Sequence, residues 1–474
     1  MLESFFAVLE FLQKELLLIA CIMFLIGSID DVIFDCLWIG YAFKRRFFVY
    51  SKHERIHADL LPRSQSEDPM AIFVPAWCEA PVIGAMIQRC LTQWKSQKFR
   101  IYVGCYPNDE QTVAAVTAAS HGSQNVRLVI CNRRGPTTKA DCLNRLWTAL
   151  CHDELTENLK FSAVVLHDAE DLVHAKALSV FEYLTDRATL IQIPVIPRRA
   201  VRSRWVAGHY CDEFAEQHGK QMVLREALGV AIPSAGVGCA FSRDALGQRS
   251  LQNGGKPFDT SSLTEDYELG LSLTEGHARG IFVRLKDQHG ELVATQEFFP
   301  ENFSDAVRQK SRWMAGISLS GWDRLGWNHD LRENWIRFRD RKAGLAAIVL
   351  SIAYGAIFLT GILAVSQLSG AYTTRPFSEA LKILLIFNAT LLCWRLMFKA
   401  VFVFRLYGLV EAYYSVPRTV VANVINMLAA RRAIGKYLRS LSGGPVDWDK
   451  TQHFLPESPE ISKLKPVKPD APGA

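Results

Sequence analysis

The chain has 474 residues, too many for one ordinary hydrophobic core, so a large catalytic unit plus a second component is expected. Its formal net charge of +6 collects beside apolar stretches, which suits an anionic lipid surface and argues against a nucleic-acid binder. Eleven cysteines without a C-x-x-C pair argue against a zinc or disulfide scaffold and read as reduced cytosolic thiols.

The first apolar segment, about Leu16 to Phe43, is broken only by Asp30, Asp31 and Asp35. Lys44, Arg45, Arg46, Lys52 and Arg55 follow, so this segment spans a membrane from outside to inside. No small-residue cleavage site accompanies it, and residues 1–46 read as an anchor. From Met70 to Leu285 short apolar runs (MAIFVP, FRIYVGCY, VRLVIC, SAVVLHD, TLIQIPV) alternate with helical patterns such as Ala80–Trp94 and Lys139–Leu150. That alternation predicts an α/β fold with a mainly parallel sheet over residues 47–300, with ligands at the carboxyl ends of the strands.

Phe303, Val307, Met314 and Ile317 then recur at helical spacing among Arg308, Lys310, Arg312, Trp313 and Trp322. A basic, Trp-bearing amphipathic helix of this kind lies in the membrane interface, within a unit at 301–342. Two spans are predicted at about Ala343–Leu368 and Leu381–Phe404. The run Gly408–Ala430, which carries Glu411, Pro417 and Arg418, reads as interfacial or re-entrant and completes a membrane unit at 343–430. From Arg431 a basic, then Pro-rich tail at 431–474 is expected in the cytosol, on the same side as the catalytic region. Asp30 and Arg395 each lie about 14 residues into an inward-running span, a common depth of roughly 21 Å. Asp30, Asp31 or Asp35 is therefore expected to pair with Arg395 or Lys399.

Chemistry concentrates in a few segments. LHDAED ends a strand and sets Asp168, Glu170 and Asp171 within four positions. These carboxylates repel one another unless a cation such as Mg²⁺ or Mn²⁺ sits among them, although an acidic turn opening a helix fits the same residues. SLTEDYELG places Glu265 and Asp266 ahead of a helix, as a general base or as acids in the first turn of a helix capped by Thr264. GPTTKADCLN puts Lys139 at a helix start, where a phosphate is favoured, but its glycine spacing is not a Walker loop. GVGCAF likewise lacks the dinucleotide glycine pattern. In QKSRW, Arg312 could face a diphosphate and Trp313 could stack on a sugar, or both could anchor the helix at the interface.

In this order VPAWCE, YPND, the lysine segment, D-A-E-D, T-E-D and Q-x-x-R-W resemble the pattern of glycosyltransferase family 2 on a GT-A fold. A membrane-bound branch of that family is closer still: YPNDE, GPTTKADCLN, LIQIPV, PSAGVG, LTEDYELG, FSDAVRQKSRW and WDKTQHFLP carry the likeness from the first helix to about Pro456. The resemblance implies that Glu79 and Asp109 contact the nucleoside and that Lys139 lies near the donor. It implies that Asp168 and Glu170 hold the metal diphosphate with Asp171 beside them, and that Asp266 is the base. Gln309, Arg312 and Trp313 would close over donor and acceptor.

The implied activity is inverting, metal-dependent transfer of a hexosyl or N-acetylhexosaminyl group from a UDP-sugar to a growing polysaccharide at the bacterial inner membrane. A single addition to a membrane lipid is the alternative, and an inactive scaffold or receptor component a third. With about three spans, an export or outer-membrane partner or an oligomer is expected, and nucleic acid is not. Cys78 departs from the family, which usually has Asn there. The branch also continues into a regulatory domain resembling cyclic-di-GMP-binding modules that this sequence does not include, so control by that nucleotide is not expected.

Overall fold

The computed structural model describes residues 2–62, 68–276 and 278–441. After a long first helix, α1 (Leu2–Lys44), the chain enters a sheet by repeated strand–helix steps. These are β1 (Met70–Pro75), α2 (Ala80–Gln93), β2 (Phe99–Cys105), α3 (Glu110–Ser120), β3 (Val126–Ile130), α4 (Lys139–Glu157) and β4 (Ala163–Leu166). The four strands are parallel, with β1 between β2 and β4 and Met70 opposite both Phe99 and Ala163. Every residue of β1 is buried, because helices cover both faces of the sheet, and so MAIFVP shows no polar alternation. Thr138 starts α4 by accepting the Asp141 amide at 3.1 Å, which sends Lys139 toward the strand ends.

Beyond α5 (Ala177–Leu184) the structure departs from the expected single strand at TLIQIPV. Two short strands form instead, β5 (Leu190–Gln192) and β6 (Val195–Pro197), in different sheets. Pro194 between them has no amide hydrogen for a ladder, and the chain changes partners there. β5 lies between β7 (Cys239–Ser242), antiparallel, and β8 (Gly280–Phe282), parallel, while β6 pairs with β9 (Thr295–Glu297). β7 also joins β4 in antiparallel fashion, giving the main sheet the order β3-β2-β1-β4-β7-β5-β8. Between β6 and β8 lie α6 (Val206–Glu216), α7 (Met222–Ala227), α8 (Arg243–Gln252) and α9 (Glu265–Thr274), with a wide π-helical turn at Gln217–Gln221 linking α6 to α7.

The amphipathic segment is helical: α10 (Phe303–Met314) continues through a π-helical turn, Ala315–Ser320, into α11 (Gly321–Leu325). Asn302 caps it by accepting the Asp305 amide at 2.8 Å. After α12 (Leu331–Arg341) come α13 (Ala343–Leu368), α14 (Glu379–Tyr407) and α15 (Leu409–Leu441). Among the described residues three helical segments, Leu2–Val49, α13 and α14, are long and apolar enough to cross a membrane. Their outer faces present apolar side chains such as Ile26, Phe358 and Ile383. α15 runs unbroken past Pro417 and packs against α6, α10, α13 and α14. It therefore makes no re-entrant turn, and the tail expected from Arg431 starts as its last turns. The rest of that tail, with WDKTQHFLP, lies outside the described residues.

The acidic residues of α1 reach the predicted partner only in part. Arg395 Nε lies 4.0 Å from Asp31 Oδ2, within the expected pairing. Closer partners come from elements that are not predicted spans. Arg339 and Lys342 grip Asp30 and Asp31, with Lys342 Nζ 2.6 and 2.9 Å away. Lys220 meets Asp35 at 2.5 Å and Glu216 at 2.5 Å, and Arg395 pairs with Glu216. This network ties α1 and α14 to the strip from α6 to α7.

Burial alone would raise the Glu216 carboxyl, but the Arg395 and Lys220 charges outweigh it and hold it near 2, below its ordinary 4.5. A depressed carboxyl stabilises the fold above its unfolded value and ceases to as pH falls through the folded one, a contribution of roughly 3 kcal/mol. Glu216→Gln is expected to cost about 3 kcal/mol near neutrality and to flatten the fall in stability between pH 5 and 2. Unfolding of both proteins in detergent across that range checks it.

Candidate active site

The residue types singled out by sequence meet in one cleft of about 500 Å³. Its walls come from the carboxyl ends of β1 and β4, the loop before β7, the start of α9, the face of α10, and the strip from α6 to α7. Lys139, Asp168, Glu170, Glu265 and Asp266 all line it, as do Glu79, Gln309, Arg312 and Trp313. Asp168 and Asp266, almost a hundred positions apart in the chain, thus share one hollow.

Lys139 links the acidic segments. Its Nζ lies 2.6 Å from Asp168 Oδ1. Burial pulls its proton affinity down, yet the charges of Asp168, Glu265 and Asp266 outweigh burial and hold it above its ordinary value. Glu265 is pushed up to about 7 by burial and then by the Asp266 charge. Asp266 itself accepts the Tyr267 amide at 2.7 Å. The capping alternative is not what forms: Thr264 makes no side-chain cap, and its hydroxyl is buried without a partner.

Two predicted residues lie elsewhere. Asp171, expected beside the metal ligands, is turned into the core, where its Oδ2 is 2.6 Å from His167 Nδ1 and accepts the Asp168 amide at 3.1 Å. Burial and the neighbouring Asp168 and Glu170 charges raise its proton affinity well above the ordinary value, so it braces the strand end rather than facing the cleft. Among the described residues no group of three or more His, Cys, Asp or Glu is arranged to hold a metal. Asp109 caps α3, accepting the Thr112 amide at 3.3 Å and the Cys78 amide at 2.6 Å. It fixes the turn before Glu79 rather than lining the cleft. Cys78 in that turn has a φ of +55°, in the left-handed region, which Asn adopts more readily than Cys; the turn explains the family's usual Asn, and nothing in the structure explains the Cys.

Other parts of the site were not legible as such. The PSAGVG loop looked nonspecific by its glycine spacing, yet Gly236 has a φ of +76°, and a methyl group placed on it would sit 2.1 Å from Asp266 Oδ2. The strip from α6 to α7 was unassigned, although Glu213, Gln217 and Gln221, four apart, all face the cleft. Polar residues at helical spacing inside an otherwise buried segment were the available signal. Phe34 of α1 and Ala343, Ala346, Ala347 and Leu350 of α13, from two of the candidate membrane helices, also wall the cleft.

The fold is that of a GT-A glycosyltransferase domain, with the cleft at the carboxyl ends of its parallel strands. Residues 68–316 match the model of the family described as "Glycosyltransferase like family 2", and the chain belongs to that family. It is 36% identical over 496 aligned residues to bacteriophage adsorption protein B of Escherichia coli strain K12, covering 98% of this chain, and equally to bacteriophage N4 adsorption protein B of E. coli O157:H7. The chain spans 65% of the length of those relatives. Among solved structures it shares its fold with a mannosyltransferase from Pyrobaculum calidifontis in complex with GDP-Man and Mn²⁺. That match has a TM-score of 0.50 and 15% identity, and covers 89% of this chain and 99% of the other.

Proposed function

We propose that this chain moves a sugar, with inversion, from a nucleotide sugar to a growing polysaccharide at the cytosolic face of a bacterial inner membrane. The observation that supports it most is the convergence of Asp168, Glu170 and Lys139 with Asp266 in one cleft, against helices able to span a lipid bilayer. A UDP-sugar is the donor the family resemblance implies. Asp266 serves as the base, its carboxylate taking the proton of the acceptor hydroxyl as that oxygen attacks the anomeric carbon opposite the diphosphate. Lys139 and Arg312 offset the charge that develops on the departing nucleotide, and Glu79 and Asp109 shape the nucleoside side. Glu265, beside the base, is kept largely protonated below pH 7 by burial, which limits repulsion next to Asp266.

Asp168 and Glu170 fit a Mg²⁺ or Mn²⁺ ion, since such ions are held by one or two carboxylates, waters and substrate phosphates rather than by a full protein cage. When bound, the ion supplies charge that holds the diphosphate and stabilises its departure. An apolar membrane-side wall also suits the second reading, one addition to a lipid acceptor. The intact carboxylates argue against an inactive scaffold. An export or outer-membrane partner, or an oligomer, is part of this reading, given the three candidate spans among the described residues.

Screening nucleotide sugars over membranes carrying the full chain is expected to find one whose nucleoside diphosphate is released. Chelation by EDTA is expected to stop that release and Mn²⁺ or Mg²⁺ to restore it. No release from any donor overturns the proposal.

A further inference from the structure

Gln217 and Gln221 from the π-helical turn and Asn426 from α15 face the same cleft as the carboxylates, with no side-chain hydrogen bond among the described residues. Ser318 and Thr264 line the same space. They are 4% and 5% exposed, and neither hydroxyl has a partner. A buried hydroxyl left unpaired is costly, and five neutral donor–acceptor groups turned toward one hollow mark a place built for a ligand that satisfies them. Trp313, held against Tyr210, Phe214 and Phe299, adds an aromatic face to the same wall.

The charges nearby decide the kind of ligand. Lys310 faces Glu213, Arg225 faces Asp340 at 2.9 Å, and Arg339 faces Asp30 and Asp31. Lys139 likewise faces Asp168, which leaves Arg312, assigned above to the donor diphosphate, as the one lining cation among the described residues with no ion pair; a second phosphate on this wall would meet the carboxylates of Glu213 and Asp340. A neutral, hydroxyl-rich molecule meets what the wall offers, namely amides, hydroxyls and an aromatic ring.

We infer that Gln217, Gln221, Asn426, Ser318 and Thr264 form an acceptor subsite for the end of a neutral glycan, in the cleft that holds Asp266. This rests on the transferase reading above and names the acceptor side of that same site. The terminal sugar hydroxyls would bond to the amides, leaving one hydroxyl within reach of the Asp266 carboxylate. A lipid phosphate acceptor is the competing outcome.

The test uses membranes carrying the full chain and whichever radiolabelled nucleotide sugar it turns over. Transferred label is partitioned between water and chloroform–methanol, and transfer is compared with donor hydrolysis. Label is expected in water-soluble chains of more than one added sugar. Gln217→Ala with Gln221→Ala is expected to shift the transfer-to-hydrolysis ratio about tenfold toward hydrolysis, as loss of hydrogen bonds to a bound ligand does. Neither amide bonds to the protein itself, so the fold does not depend on them. Ser318→Ala, a smaller change, is expected to shift the ratio about threefold. Label recovered as a single-sugar lipid in the organic phase, or a ratio unchanged in both variants, overturns the inference. If no donor is turned over, no ratio exists, and it is the transferase reading that fails.

Discussion

Asp266→Asn is expected to lower sugar transfer by about 10²-fold or more, the range positioned acid–base groups contribute. The substitution keeps the size of the side chain and its contact with the Tyr267 amide but removes the proton acceptor. The proposed donor contacts, Lys139 and Arg312, are untouched, so the half-saturating donor concentration is expected to change little while turnover collapses. Initial rates of sugar transfer over a range of donor concentrations check both halves. Near-normal turnover in the Asn variant removes Asp266 from the role of base.

Gly236→Ala is expected to be nearly as damaging without touching an ionisable group. The new methyl group would sit 2.1 Å from Asp266 Oδ2, and the backbone there has a φ of +76°. The left-handed conformation alone costs an alanine about 1–2 kcal/mol. Displacing the carboxylate by about 1 Å costs turnover on the order of 10²-fold. Gly254→Ala separates the two effects: its φ is +62°, but nothing lies within 4 Å of the added methyl group. That variant is expected to lose comparable stability and keep its transfer rate, as thermal unfolding and rate measurements on the pair will show.

The sequence made the acidic half of the site legible because each carboxylate group follows a strand or opens a helix, where repulsion needs a reason. Asp168, Glu170 and Asp266 meet as expected, while Asp171 shows the limit of counting acids: one of three successive carboxylates turns inward to His167, which no spacing rule distinguishes. β1 was legible as an unbroken apolar run. The break at Pro194 could have been read from its missing amide. β7 could not, since CAFS is short and sits behind two glycines. The α1 acids were matched to Arg395 by depth alone. Depth fixes height along the membrane normal but not direction around the helix, and Arg339, Lys342 and Lys220 lie closer in that direction. The strip bearing Gln217 and Gln221 was overlooked because neutral amides carry no signal until the hollow they face is known.

Phe34 on one candidate membrane helix and Ala343, Ala346, Ala347 and Leu350 on another line one wall of the cleft. On the proposed function, a fragment trimmed of these helices would keep Asp168, Glu170 and Asp266 yet lose that wall. Such a fragment would spend donor on water, and its acceptor preferences would say little about those of the intact chain.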